Sequence, residues 1–220
     1  MTKEANGKHA ILHPRYIPMD VARVSMLPLG IKYRTKKFFL NAKEHGKTIK
    51  GGAVIVANHT SFEDPLFITN LLWYRRLYFL AGEVLMDKRP QGILLRGLGC
   101  IRIDRNISDI DAIRTAVDKL KRGHLLVMFP QGGIKREKDV ENIKAGAILI
   151  AMQAKVPIIP VYTMKPEKWY MRRKAVIGEP FICSEHCKRK FPSVTDLNHL
   201  SEKLLSEMQR CEEIYQEKFL

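Results

Sequence analysis

The sequence predicts an α/β fold, a single domain with a largely parallel mixed sheet flanked by helices, preceded by a basic amphipathic N-terminal helical arm. Two observations carry that class. From Gly52 onward, short runs of β-branched and other apolar residues alternate with segments of helical periodicity, the order that builds βαβ units. Ahead of them, residues 1–50 hold eleven Lys and Arg against three Asp and Glu, so this stretch supplies more than half of the net charge of +15.

Within the arm, Val21, Val24, Leu27, Leu29, Ile31, Phe38 and Phe39 are interleaved with cations, a mixture suited to a bilayer interface. Pro28 and Gly30 divide it into two short expected helices, whose apolar side could equally pack on the chain's own domain. Next come five runs that predict buried strands, at residues 53–57, 77–81, 100–103, 125–129 and 158–162. Between the third and fourth, Ser108 is the expected N-cap of a helix with Asp109 and Asp111 in its first turn. Ile110, Ile113, Val117 and Leu120 form its apolar face, and Gly123 ends it. A second helix is expected at about residues 143–154. At the C-terminus Leu197, Leu200, Leu204, Met208, Cys211 and Tyr215 recur every three or four positions, the pattern of an amphipathic helix packed on the domain.

A chain of 220 residues suffices for one domain with a real core, so the expected organisation is an arm at 1–50 and a domain at 51–220 that includes the C-terminal helix. Hydrophobic residues at 45% and charged residues at 28% argue against disorder and against a multi-span membrane protein. The charge, with a pI near 9.8, calls for an anionic partner: nucleic acid, an anionic membrane surface or a phosphorylated small molecule. Apolar stretches such as 145–154 and 156–161 fall short of the roughly 20 residues needed to span a bilayer, so membrane contact is expected to be peripheral. A cleavable leader is not expected, and a cytosol-facing protein is the default reading. The basic and aromatic run Lys165, Lys168, Trp169, Tyr170, Arg172, Arg173 and Lys174 suits lipid headgroups. Nucleic acid is not the expected partner, because RNA- and zinc-finger-type patterns do not accompany the charge. Cys100, Cys183, Cys187 and Cys211 are read as free thiols, and a metal at Cys183, His186 and Cys187 is not expected for want of a fourth ligand.

The chemistry centres on "ANHTSFEDP", Ala57 to Pro65. Five positions on a continuous helix separate two side chains by about 140°, so His59 and Asp64 can meet only across a turn. The sequence provides one, since a strand ends near Ala57 and Asp64-Pro65 reads as an N-cap followed by a proline at the first helical position. Two readings are open at this point. Asp64 could cap the helix beside an incidental loop histidine. Alternatively, its carboxylate could fix the imidazole tautomer and free the other ring nitrogen to take a proton from a hydroxyl.

The loop fits the H-x-x-x-x-D motif, and four further stretches follow it in order. These are Gly99-Cys-Ile-Arg-Ile-Asp104-Arg105, Phe129-Pro-Gln-Gly132-Gly, Lys144-Ala-Gly-Ala147 and Val156-Pro-Ile-Ile-Pro-Val161. Together they cover roughly residues 53–162, and the chain resembles the glycerolipid acyltransferases, typified by bacterial 1-acylglycerol-3-phosphate acyltransferases. The resemblance implies that His59 is the general base and Asp64 its orienting carboxylate. It implies that Arg105, Gln131, Gly132, Gly133 and Lys135 bind substrate, Arg105 at a phosphate and the amides near Gly132 and Gly133 at the oxyanion.

The third block departs from the family's F-P-E-G-T-R. Gln131 stands for the glutamate, Gly133 for the threonine and Ile134 for the arginine, with Lys135 and Arg136 directly after; Gly82 stands where many members have lysine. A glutamine keeps an acceptor and gains a donor while losing the charge. The implied reaction moves a fatty acyl chain from acyl-CoA or acyl carrier protein to a lysophospholipid hydroxyl, most simply that of 1-acyl-sn-glycerol-3-phosphate. It needs no cofactor and no metal, and takes place at the cytoplasmic face of a membrane. A different reading, an acyltransferase-like protein that binds anionic lipid without turnover, rests on Gln131 and Gly133.

Overall fold

The structure is a computed structural model that describes residues 20–21, 35–42, 46, 48–61, 63–104, 109–130, 137–165, 172–187 and 192–220. Its strands are β1 (Lys36–Phe39), β2 (Ala53–Ala57), β3 (Leu77–Gly82), β4 (Cys100–Ile103), β5 (Leu125–Met128), β6 (Ile158–Thr163) and β7 (Lys174–Ile177). They form one sheet in the order β1-β7-β6-β2-β5-β3-β4, parallel throughout except for the antiparallel β6–β7 pair. The expected largely parallel mixed sheet is thus observed. The helices are α1 (Asp64–Leu71), α2 (Glu83–Met86), α3 (Gln91–Gly97), α4 (Ile110–Lys121), α5 (Glu137–Ala154), α6 (Cys183–His186) and α7 (Val194–Phe219).

Strand alternation divides the core in two. Ala53, Ile55 and Ala57 of β2, with Leu125 and Val127 of β5, face α1, where Phe67, Ile68 and Leu71 are buried. The alternate residues Val54, Val56, Leu126 and Met128 face the opposite layer, built from Ala116, Val117 and Leu120 of α4, Ile148 and Ala151 of α5, and Leu200, Leu204 and Met208 of α7. A side-chain period of two sends alternate residues to opposite faces, which is why the central runs carry apolar residues at every position.

Helix boundaries refine the sequence reading. At α4 the N-cap is Asp109, whose carboxylate accepts from Ala112 N at 2.9 Å, and Ser108 lies outside the described residues. An aspartate next to the predicted serine out-competes it because its charge adds favourably to the helix dipole. Ile110, expected on the apolar face, is 59% exposed. Gly123, at φ +81°, closes α4 with N–H bonds from Gly123 to Leu120 O and from His124 to Lys119 O, the paired pattern that a left-handed glycine permits. The terminal helix α7 begins in a capping box between Ser193 and Asp196 and buries Leu200, Leu204, Met208, Cys211 and Tyr215 as its periodicity predicts.

The N-terminal stretch departs most from expectation. Lys36–Phe39 is an edge strand paired with β7, and Phe38 and Leu40 pack with Val176, Cys211 and Tyr215. Asp20, 3% exposed, forms an ion pair with Arg76 at 2.6 Å. Some of the residues read as a separate arm are therefore built into the domain. Two lysines at the start of β1 masked its strand character in sequence, as edge strands tolerate charge that central strands do not. The helices expected around Pro28 and Gly30 lie outside the described residues.

Candidate active site

The sheet topology marks a place where a ligand crevice is expected. Adjacent parallel strands β2 and β5 send the chain to opposite faces, β2 into α1 and β5 toward α5. In such sheets ligands bind outside the carboxyl ends of strands whose connections diverge in this way. His59 lies just past the end of β2, and Phe129 just past the end of β5. Their rings stack with centroids 4.7 Å apart and an interplanar angle of 29°.

The turn between β2 and α1 brings His59 and Asp64 together. His59 Nδ1 lies 2.7 Å from Asp64 Oδ2. The same oxygen accepts the backbone N–H of Thr60 at 2.5 Å and of Ser61 at 2.7 Å, while Oδ1 accepts from Ser61 Oγ at 3.1 Å. Asp64 is fully buried, and His59 is 25% exposed. The helix N-cap is Glu63, which puts Asp64 at the first helical position and Pro65 at the second. This corrects the expected cap. The carboxylate turns back onto the loop's N–H groups, so the turn is folded around the Asp64 side chain.

Burial pushes the Asp64 carboxyl up, but the Ser61 N–H, the Arg173 guanidinium and His59 together outweigh it and hold the group below the usual carboxylate range. An ionised Asp64 accepts the Nδ1 hydrogen of His59 and leaves Nε2 as the ring nitrogen for a substrate proton.

A partner that the sequence reading placed elsewhere completes the arrangement. Arg173, grouped with the lipid-facing run, is 2% exposed and donates through Nη2 to Asp64 Oδ1. Its Nε donates to Thr163 Oγ1 at 3.2 Å, and its guanidinium lies 4.3 Å from the Phe67 ring centroid. Thr163, in turn, is held by Asn58: the Asn58 amide donates to Thr163 O at 2.8 Å and accepts from Thr163 N at 2.9 Å. Sequence reasoning passed over Asn58 and Thr163. The usable signal for the first was a buried-context amide between an apolar strand and the histidine.

Of the remaining residues that the resemblance implied, Arg105, Gln131, Gly132, Gly133 and Lys135 lie outside the described residues. The first residues of their blocks are placed, with Phe129 against His59 and Asp104 N donating to Asp109 Oδ2 at 3.1 Å. Glu83, next to Gly82, pairs with Arg102 at 3.0 Å, and Asp87 pairs with the same guanidinium at 3.1 Å. Cys183 is buried, and burial pushes its thiol up to about 11.

A sequence model described as "Acyltransferase" matches residues 32–164, and the chain belongs to that acyltransferase family. A 1-acyl-sn-glycerol-3-phosphate acyltransferase of Streptococcus pneumoniae is 29% identical over 166 residues, covering 73% of this chain and 60% of the relative. The Bacillus subtilis protein of the same name is 26% identical over 134 residues, covering 59% of this chain and 66% of the relative. The chain thus spans less than two thirds of the length of these relatives. Among solved structures, the fold is similar to that of the 1-acyl-sn-glycerophosphate (LPA) acyltransferase PlsC from Thermotoga maritima. The TM-score is 0.55 at 23% identity, over 91% of this chain and 85% of that one.

Proposed function

We propose that the protein is an O-acyltransferase that moves a fatty acyl chain from a thioester to the hydroxyl of a lysophospholipid, 1-acyl-sn-glycerol-3-phosphate in the first instance, forming phosphatidic acid. The observation that carries this reading is the part-exposed His59 whose Nδ1 is committed to a buried, ionised Asp64 at the carboxyl end of a central strand. Relatives that share the sequence are named for that reaction.

His59 Nε2 takes the hydroxyl proton as the acceptor oxygen attacks the thioester carbonyl carbon. The tetrahedral intermediate then collapses with cleavage of the C–S bond, and the departing thiolate receives the proton back from His59. The products are an ester and a free thiol. A thioester has a good leaving group, so a positioned base and oxyanion stabilisation suffice, and no cofactor is required. Gln131, Gly132, Gly133 and Lys135 follow β5 in sequence and are the proposed substrate contacts, with Arg105 at the acceptor phosphate.

The donor is acyl-CoA or acyl carrier protein, and the site of action is the cytoplasmic face of an anionic membrane, held peripherally by the basic residues of the first fifty. Among the described residues no helix is long and apolar enough to cross a membrane. The experiment is thiol release from palmitoyl-CoA and palmitoyl-acyl carrier protein with and without lysophosphatidic acid. Acceptor-dependent release by the wild-type chain, absent in His59→Ala, supports the proposal. Wild-type release no greater than that of the variant across a panel of lysolipids overturns it.

A further inference from the structure

We propose that Arg173 is a positioning residue of the catalytic pair, fixing the Asp64 carboxylate that holds the His59 imidazole and offsetting its charge. This rests on the acyl-transfer reading above. The two oxygens of Asp64 face different sides. Oδ2 faces His59 Nδ1 and the Thr60 and Ser61 amides, whereas Oδ1 faces Arg173 Nη2 and the Ser61 and Thr60 hydroxyls. Rotation of the carboxylate about its Cβ–Cγ bond breaks both sets together, so the arginine locks the plane in which the imidazole is held.

Charge supplies the second part of the argument. A buried carboxylate facing only a histidine favours the imidazolium, a form with no lone pair to accept a substrate proton. Arg173 carries a permanent positive charge, so the carboxylate is already neutralised and can serve His59 as a hydrogen-bond acceptor. Tyr215 of α7 also feels the Arg173 charge; burial pushes its hydroxyl up, so it stays neutral. Thr163 from β6 and Phe67 from α1 complete the contacts around the guanidinium.

The contrast with Arg75 argues against a role in stability alone. Arg75 directs its amino groups to the main-chain oxygens of Ile49, Gly51 and Gly123, tying loops together. Arg173 directs its donors to the side chains of Asp64 and Thr163, and its buried Nη1 finds no acceptor among the described residues. Its partners are thus side chains of the site, where those of Arg75 are main-chain loops. The network also closes on itself, since Thr163 is bonded to Asn58, the residue preceding His59.

The test compares Arg173→Met, Arg173→Lys and Arg173→Ala with the wild-type chain in the thiol-release assay. Arg173→Met is expected to lower kcat about 100-fold, the scale of a misplaced catalytic group, with both KM values within about threefold. Its acid limb of kcat is expected at higher pH than in the wild type. Added guanidinium should restore about tenfold in Arg173→Ala, where equal sodium chloride does not. Met retaining a third or more of wild-type kcat, or no rescue of Ala by guanidinium, overturns the proposal.

If the Met and Ala chains fail to fold by circular dichroism, Thr163→Val, which removes the Nε acceptor together with the Thr163 Oγ1 bond to Lys174 O, must show a smaller loss in kcat at unchanged KM. A wild-type kcat in Thr163→Val would then overturn the idea. Should the wild-type chain show no turnover, the functional reading fails separately. The contact between Arg173 and Asp64 is then judged by carbon-13 titration of Asp64: a midpoint raised in Arg173→Met or Arg173→Lys upholds the positioning, and an unchanged midpoint removes it.

Discussion

Asp64 and Arg173 stand 109 positions apart and meet as a buried ion pair on the side of the carboxylate opposite His59. One carboxylate thus has a titratable partner at the mouth of the crevice and a permanent cation beneath it. Removing any one of the three leaves the other two in a different electrostatic state, and that asymmetry makes their substitutions distinguishable.

Replacing His59 with Gln is expected to lower the rate of acyl transfer about 1000-fold, within the usual range for loss of a general base, and to leave the fold intact. The side chain is 25% exposed and is not part of either core layer. Single-turnover kinetics beside a circular dichroism spectrum check both halves of the expectation.

Asp64→Asn should damage both activity and stability. The neutral amide leaves the Arg173 guanidinium buried without a counter-charge, a loss of about 3 kcal/mol or more for a broken buried pair. Urea denaturation should show it as a lower midpoint at unchanged slope. A variant as stable as the wild type would contradict the buried ion pair.

Acid should erase that difference. The Asp64 carboxyl is held below its ordinary value of 3.8, so the unfolded chain takes up this proton at higher pH than the folded one. Its contribution is therefore fully present above about 4 and is lost as the pH falls through the lower, folded-state value. The stability gap between the wild type and Asp64→Asn is expected to be constant from pH 7 to pH 5 and to shrink below pH 4, as read from denaturation midpoints across that range.

Ser193→Ala serves as the contrasting case, because it touches stability without touching the site. The Ser193 side chain accepts from Asp196 N at 3.2 Å, and the Asp196 carboxylate accepts from Ser193 N at 2.9 Å. Loss of the cap should cost about 1 kcal/mol. That corresponds to a fall in Tm of roughly 2 to 4 °C for a chain of this size. Unchanged kcat alongside the lower Tm is the expected pattern from calorimetry and assay together.

Much of this was legible in the residues themselves. The central strands β2, β3, β5 and β6 announced themselves because both faces of the sheet are covered, so their runs are almost wholly apolar; the edge strand β4 was legible from Cys100, Ile101 and Ile103 despite Arg102. Helix α7 was legible for the opposite reason, as one face alone is buried and the period of 3.6 stands out. The edge strand β1 and its neighbour β7 were not, since Lys36, Lys37 and Lys174 sit in exposed or half-buried positions where charge is tolerated. In the site, spacing and the strand-to-helix turn allowed the His59 and Asp64 pairing, and the resemblance carried by the downstream blocks selected it. Arg173 did not, because a buried arginine and a headgroup-facing one are the same letter in a basic run, and only the antiparallel return of β7 against β6 turns it inward.

The Asn58 amide does for the sheet what a further residue of β2 would have done with its main chain. Its carbonyl and amino groups meet the N–H and C=O of Thr163 at strand-ladder distances, so the pairing of β2 with β6 persists one step past the point where the backbone turns away. The chain is thereby released toward the crevice while its last strand neighbour remains tied. Among the natural side chains, asparagine alone carries a donor and an acceptor side by side at so short a reach. Aspartate would face a carbonyl with no hydrogen to give, and glutamine would overshoot. Position 58 therefore acts as a hinge pin cut to one length, and the bearing of the neighbouring imidazole is set by it.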